Sequence, residues 1–374
     1  MNPSHPVARR GSALAANLGL SERVFASSAD RAMANAIDEG IERVEAGLLR
    51  EVSFADSIAD VSTRYLPEAG GKRVRPMLTL LTAQLGAGAN DDVVMAAQAI
   101  EITHLGSLYH DDVMDDSERR RGVPSAQTVW GNSVAILTGD LLFARASQLM
   151  ARLGERAISM QADTFERLVL GQLHETVGPT NGEDPIAHYI QVLADKTGSL
   201  IAAAAQSGIV FSGADPAFEK PIVEFGEKIG VAFQLIDDVI DLSPQPEETG
   251  KVPGTDLRAG VVTLPLLRLA ELAKSDAASA DLLDRIERDV IVLANPVNGF
   301  DPHDTNTLAS RIVPSRETVD AIVAELRTHE ATRATLAEAH RWARDAVTAL
   351  APLPQGSVKK ALTRFAETIV ERQS

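Results

Sequence analysis

The chain contains no cysteine, which removes disulfides, thiolate nucleophiles and sulfur-based zinc sites from consideration. A reducing compartment is compatible with that lack, and cytoplasmic residence is the expectation. A basic stripe is also missing. Lys and Arg number 36 against 52 Asp and Glu, giving a net charge of -16 and a pI near 5.0. That balance argues against nucleic acid as a partner, and an anionic substrate would need local positive charge or metal ions. No run of about eighteen apolar residues is evident, so no transmembrane segment is expected. The opening MNPSHPVARRGSALAANLGLSE sets Arg9 and Arg10 before a weakly apolar stretch, but Asn17, the glycines and Ser21 leave no apolar core for a secretion signal. Alternating β-branched runs, the mark of half-buried strands, are nearly absent.

What is present is helical rhythm. Ile37, Ile41, Val44 and Leu48 fall three or four apart with Asp38, Glu39, Glu42 and Arg43 between them, the pattern of an amphipathic helix. The rhythm returns through 95–114, 134–150, 165–173, 222–242 and 319–350. Punctuation such as Pro67-Glu68-Ala69-Gly70-Gly71 and Gly213-Ala214-Asp215-Pro216 separates the segments. The pattern predicts an all-α bundle. With 374 residues the chain can hold one large core or two ordinary ones, and no composition break divides it. The expected layout is a tail over residues 1–20, one domain over 21–374, and an irregular surface loop near 295–315.

Two acidic motifs stand out, DDVMD at Asp111 to Asp115 and DDVID at Asp237 to Asp241. On a helix, residues three or four apart share a face, so Asp111, Asp112 and Asp115 project together, as do Gln234, Asp237, Asp238 and Asp241. Like charges one turn apart repel, and partial burial raises the cost further. Cations should neutralise them. A set of carboxylate oxygens suits magnesium, which takes one or two carboxylates and completes its shell with water and phosphate oxygens. A single such motif in an acidic chain is weak, because acidic runs are usually solvated helix faces; two copies with the same spacing, each set in apolar helix, are a strong signal.

Further motifs follow in order: Gly70-Gly71-Lys72-Arg73-Val74-Arg75-Pro76, Arg120-Arg121-Gly122-Val123-Pro124, Lys196-Thr197-Gly198, Phe233-Gln234, and Gly250-Lys251-Val252-Pro253-Gly254-Thr255-Asp256-Leu257. From about residue 36 onward, these resemble the trans-polyprenyl diphosphate synthases. The resemblance implies the all-α isoprenoid synthase fold, a helical bundle around a deep central cavity, usually as a homodimer. It implies a reaction between isopentenyl diphosphate and an allylic prenyl diphosphate, with Mg2+ as cofactor, three ions when substrate is bound. Asp111, Asp112, Asp115, Asp237, Asp238 and Asp241 match its metal ligands. Arg120, Lys196 and Lys251 match contacts to the allylic diphosphate, with Thr197 beside them and Gln234 as the polar contact next to the second motif. Lys72, Arg75, His104 and Arg121 match the site for the diphosphate of isopentenyl diphosphate. Guanidinium and ammonium groups near a glycine turn are suitable phosphate donors on their own chemistry. The family often has a second lysine before its Thr-Leu-Pro segment; here Val261 and Val262 precede Thr263, which removes the expectation of a diphosphate contact at Val261.

In that family's chemistry, metal and cationic side chains draw diphosphate from the allylic carbon, and the double bond of isopentenyl diphosphate attacks the resulting cation. Water has to be excluded, which suits a deep apolar cavity. Product length is read just upstream of the first motif, where Gly106 and Ser107 are small and imply an open floor and a product of about thirty carbons or more, of the kind used for quinone side chains and released at a membrane surface. Gly106 is also open to a plainer reading, close helix packing. Rivals are a geranylgeranyl or farnesyl diphosphate synthase, a terpene cyclase, and a partner subunit of a heteromeric synthase. The all-aspartate second motif and GGKRVRP speak against a cyclase. The intact acidic and basic motifs speak against a non-catalytic subunit.

Overall fold

The computed structural model describes residues 27–243, 253–291 and 316–371. In chain order the elements are α1 (Ser28–Glu51), α2 (Ser57–Ala69), α3 (Val74–Ala83), α4 (Asp91–Met114), a two-residue pair β1 (Arg119–Arg120) and β2 (Val123–Pro124), α5 (Ala126–Trp130), α6 (Asn132–Leu153), α7 (Glu155–Val177), α8 (Pro185–Leu193), a wide π turn Ala194–Gly198, and α9 (Ser199–Phe211). A short 3-10 turn leads into α10 (Glu219–Asp241), followed by α11 (Thr255–Arg258), α12 (Leu264–Leu272), α13 (Ala277–Ile286), α14 (Arg316–Thr328), α15 (Glu330–Ala349) and α16 (Ser357–Glu371).

Local chemistry explains many of these boundaries. Ser27 and Asp30 form a reciprocal capping box at the start of α1, and Asp56, Asn90 and Asp184 cap α2, α4 and α8 through their side-chain oxygens. The rhythm expected to run unbroken over 319–350 is two helices. His329 interrupts it, its Nδ1 accepting the Ala331 N–H at 3.2 Å, so a histidine acts as the cap that restarts α15. The segment read over 165–173 is the middle of the longer α7. The 1–20 tail and the 295–315 loop lie outside the described residues.

The chain divides into two compact units. Of the described residues, the first takes 27–170, 195–230 and 345–368. At its heart is α4, which packs along α6 and also against α1, α3 and α9. Its residues are buried on every side from Val93 to Tyr109, as an all-round apolar helix must be. Leu48, Leu66, Ile102, Leu105, Tyr109, Leu142 and Leu149 form the core around it. The second unit takes, of the described residues, 171–194, 231–243, 253–291, 316–344 and 369–371; Leu257, Leu269, Leu282, Ile286, Ile322 and Leu326 form its own core.

Among the described residues one helix, α6, is long and apolar enough to cross a membrane by length and composition alone, although Asp140 and Arg145 interrupt its sequence, NSVAILTGDLLFARASQLMARL. Ala135, Leu142, Ala146, Leu149 and Met150 of this helix are core residues, while Ile136 and Leu137 are exposed.

Candidate active site

The first acidic cluster occupies the last turn of α4, with Asp115 as its C-cap. The C-terminal end of a helix carries the negative pole of its dipole and a set of unsatisfied carbonyls. Three carboxylates placed there repel one another and the helix end alike, so the demand for a cation is stronger than spacing alone indicates. Asp112 is fully buried. Its Oδ1 accepts both Arg120 Nε at 2.7 Å and Arg120 Nη2 at 2.5 Å, and its Oδ2 is buried with no hydrogen-bond partner. Burial pushes the Asp112 carboxyl up, against the pull of Arg120. A buried carboxylate oxygen without a donor suits a divalent cation. Asp111 is half-buried and Asp115 exposed.

The small hairpin, which no rhythm in the sequence announced, aims the next two arginines. β1 and β2 pair antiparallel with Arg120 opposite Val123, joined through Arg121 at φ 52 and Gly122 at φ 81. Two successive positive φ values are what a tight hairpin turn requires. Arg121 then reaches back, donating to the carbonyls of Leu66, at 3.0 Å, and Gly70. Arg73, also at positive φ (50), donates to the carbonyls of Gly70 and Pro67. The GGKRVRP loop is therefore clasped by two guanidiniums.

Beneath them lies Glu101, 2% exposed, with Arg73 Nη1 at 3.0 Å and Arg121 Nη2 at 3.9 Å from its Oε1. Glu45 takes Arg73 Nε at 2.5 Å from the other side. Burial pulls the Arg73 guanidinium down, but Glu101 and Glu45 outweigh it and leave it raised. Burial pulls Arg75 down to about 10 despite Glu101, and its Nε is buried without a partner. His104, half-buried, is pushed well below the usual imidazole value by burial and then by Arg75, Arg121, Arg120 and Arg73. Of the residues expected to hold diphosphate, Arg75, His104, Arg120 and Arg121 thus share one positive field. Lys72 lies exposed at the loop, and Lys196 and Thr197 are half-buried in the π turn.

The second cluster occupies the last turns of α10, again at a helix C-terminus, with Gln234 half-buried one turn earlier. Asp238 is 3% exposed; Tyr189 Oη donates to its Oδ2 at 2.8 Å, and the Leu264 N–H also donates to it. Burial raises its carboxyl to about 8, with Asp256 and Asp237 adding repulsion. Asp241 accepts the N–H groups of Thr255, at 3.2 Å, and Asp256, at 3.1 Å, so its carboxylate is tied to α11. Among the described residues, no three acidic or histidine side chains close a metal cage by themselves. Lys251 lies outside the described residues, and Val261 is 45% exposed.

The sequence matches the pattern of the Polyprenyl synthetase family over residues 57–291. It is 47% identical over 250 residues to a nonaprenyl diphosphate synthase of Mycobacterium tuberculosis, covering 67% of this chain and 75% of that one. Its fold is similar to that of a polyprenyl synthase from Caulobacter crescentus solved with calcium and isoprenyl diphosphate, with a TM-score of 0.77, 30% identity, and 93% and 98% of the two chains covered. A geranylgeranyl pyrophosphate synthase from Corynebacterium glutamicum, solved with the same ligands, gives a TM-score of 0.73 at 38% identity, covering 90% and 96%.

The chain belongs to the polyprenyl synthetase family.

Gly106 lies at a helix contact. A Cβ there would lie 3.1 Å from Phe143 Cε1 and 3.2 Å from the Gly139 carbonyl oxygen, so Gly106 is where α4 and α6 approach closely. One residue along a helix is a rotation of about 100°, and that step separates Gly106 from Ser107. Ser107 is buried and its Oγ donates to the His104 carbonyl at 2.9 Å. On the stripe running down from Asp111 through Ser107, Ile100 and Thr103 line a narrow cleft with Met160, Thr164, Leu200 and Ala203.

Sequence reasoning also passed over Arg73, Glu101, Tyr189 and Asp256. Glu101 had a readable signal, since it is the one charge in the run AAQAIEITHLG, on a helix otherwise apolar all round. Tyr189 had none beyond its place seven residues before Lys196.

Proposed function

We propose that this enzyme, a prenyltransferase by family, condenses isopentenyl diphosphate with an allylic prenyl diphosphate, with Mg2+ as its metal, and extends the chain to about thirty carbons or more. The observation that carries the reading is the pairing, in one unit, of the orphaned Asp112 Oδ2 at a helix C-terminus with a positive field built from Arg75, Arg120 and Arg121 around the neutral ring of His104. That pairing provides for a cation and for an anion at adjoining positions. Asp111, Asp112, Asp115, Asp237, Asp238 and Asp241 would hold the metal, which supplies Lewis-acid stabilisation of the leaving diphosphate.

The chain's own part is binding, orientation and exclusion of water. Arg120 already holds Asp112 and extends a guanidinium edge suited to phosphate oxygens, while Lys196, Thr197, Lys251 and Gln234 complete the allylic site. Arg75, Arg121, Lys72 and His104 bind the diphosphate of isopentenyl diphosphate. Glu101 keeps that positive group from dispersing by supplying a fixed opposite charge. The released diphosphate is the proton acceptor, so no side chain here acts as a general base. The apolar side chains on the stripe below Ser107 and those beside it, Ile100, Met160, Leu200 and Ala203, would face the growing tail and keep water from the cation.

The long product, of the kind used for quinone side chains, is supported by the nonaprenyl relative and by the small residues Ser107 and Thr103 on the helical stripe below Asp111. A second reading, a twenty-carbon product, is favoured by the Corynebacterium relative. A homodimer would cover the exposed Ile136 and Leu137 of α6. Purified protein incubated alone with farnesyl diphosphate, labelled isopentenyl diphosphate and Mg2+, followed by chromatographic sizing, tests all of this. Products of thirty carbons or more are expected. A stop at fifteen or twenty refutes the long-chain reading, and no incorporation by the protein alone points to an unlike partner subunit.

A further inference from the structure

Asp238 is buried at a helix C-terminus, with Asp237 on its own helix and Asp256 close enough to repel it. Among the described residues its side-chain donors are a tyrosine hydroxyl and one backbone N–H, and neither is cationic. Tyr189 comes from α8, which packs against α12, the helix whose first residue is the backbone donor, Leu264. A carboxylate has two oxygens, and pinning one of them decides where the other points.

We propose that Tyr189 is a positioning residue for the metal-binding carboxylate of Asp238. Its hydroxyl, at 2.8 Å from Oδ2, fixes the carboxylate rotamer so that Oδ1 is directed for a cation. The inference rests on the prenyltransferase reading, because that reading makes Asp238 a metal ligand. Outer partners of metal ligands commonly set affinity by ten- to a hundredfold.

The test compares the full-length wild type with Tyr189→Phe and Tyr189→Leu. Mn2+ is titrated by electron paramagnetic resonance in the presence of inorganic pyrophosphate, and metal-free unfolding is followed in parallel. The Phe variant, which keeps the ring, is expected to bind Mn2+ about tenfold or more weakly while unfolding like the wild type without metal. In turnover, the Mg2+ concentration for half-maximal rate should rise by a similar factor, with the KM for isopentenyl diphosphate unchanged. If the Phe variant matches the wild type and only the Leu variant loses binding, Tyr189 acts through packing and the inference is overturned. Parallel changes in the Mg2+ requirement and in that KM overturn it as well, since they signal general damage. Wild-type protein without pyrophosphate-dependent Mn2+ binding overturns the proposed function itself, whereas wild-type binding indifferent to the hydroxyl overturns only this inference.

Discussion

Replacing Glu101 with glutamine preserves its shape and removes its charge, which isolates its electrostatic part. The side chains of Arg73 and Glu101 are 3% and 2% exposed, so the pair is screened little by solvent. Removing one member of a buried ion pair usually costs about 3 to 5 kcal/mol, because the other charge is left uncompensated. Here Arg73 keeps Glu45 and two carbonyls, which places the loss near the lower end, about 3 kcal/mol. Arg121 and Arg75 lose the same counter-charge, which prevents the loss from being much smaller. Glu45→Gln is the control. It touches the same guanidinium at 2.5 Å, but its side chain is 35% exposed, and the expected loss is under about 1 kcal/mol. Urea unfolding of both variants, with midpoints compared at equal slope, measures the difference. Inorganic pyrophosphate should restore part of the Glu101→Gln loss by mass action, since it brings negative charge to the same arginines. Equal midpoint shifts for the two variants, or a larger shift for Glu45→Gln, would refute Glu101 as the charge that holds the basic group together.

Gly106→Ala should destabilise the fold by about 1 to 3 kcal/mol, because its Cβ meets the Gly139 carbonyl, which cannot turn aside; thermal unfolding reads it, and an unchanged midpoint would remove Gly106 from the α4–α6 contact. Thr103→Phe should shorten the product by closing the cleft beneath Ser107 while leaving the first condensation intact, and product sizing that gives the wild-type length would place the floor elsewhere. For His104 the folded value lies well below the ordinary 6.5, so the neutral ring is the form the fold favours. Its contribution is present above about pH 6.5 and is lost as pH falls below that toward the folded value. A stability profile of His104→Gln should therefore lose part of the acid-side slope, and an NMR titration of the wild type should find this ring still neutral at pH 6.

The helices and both acidic clusters were legible because their signals are local: apolar spacing fixes a face, and DDxxD places three carboxylates on it. The GGKRVRP and RRGVP arginines were legible as charges, but not as a structure. Whether Arg121 points at ligand or clasps Gly70 depends on a hairpin whose two strands are only two residues each, too short for any periodicity. Glu101 and Tyr189 meet partners 28 and 49 residues away in sequence, and no spacing rule reaches that far. What Gly106 packs against was not legible, because it depends on where α6 lies, which only packing supplies. His329, a cap of unusual type, hid the break between α14 and α15 for want of the usual Ser, Thr, Asp or Asn.

The two helix ends that carry the aspartates set durability against chemistry. Every rule of helix design asks for a lysine or arginine, or a neutral cap, in those last turns, and α4 and α10 have none there. A designer optimising this sequence for heat resistance alone would exchange exposed Asp115 for asparagine early and obtain a sturdier helix. On the proposed metal-binding role of Asp115, the substitution would also remove a ligand. Laboratory evolution under thermal selection without an activity screen should therefore erode this protein first at the residues that define it.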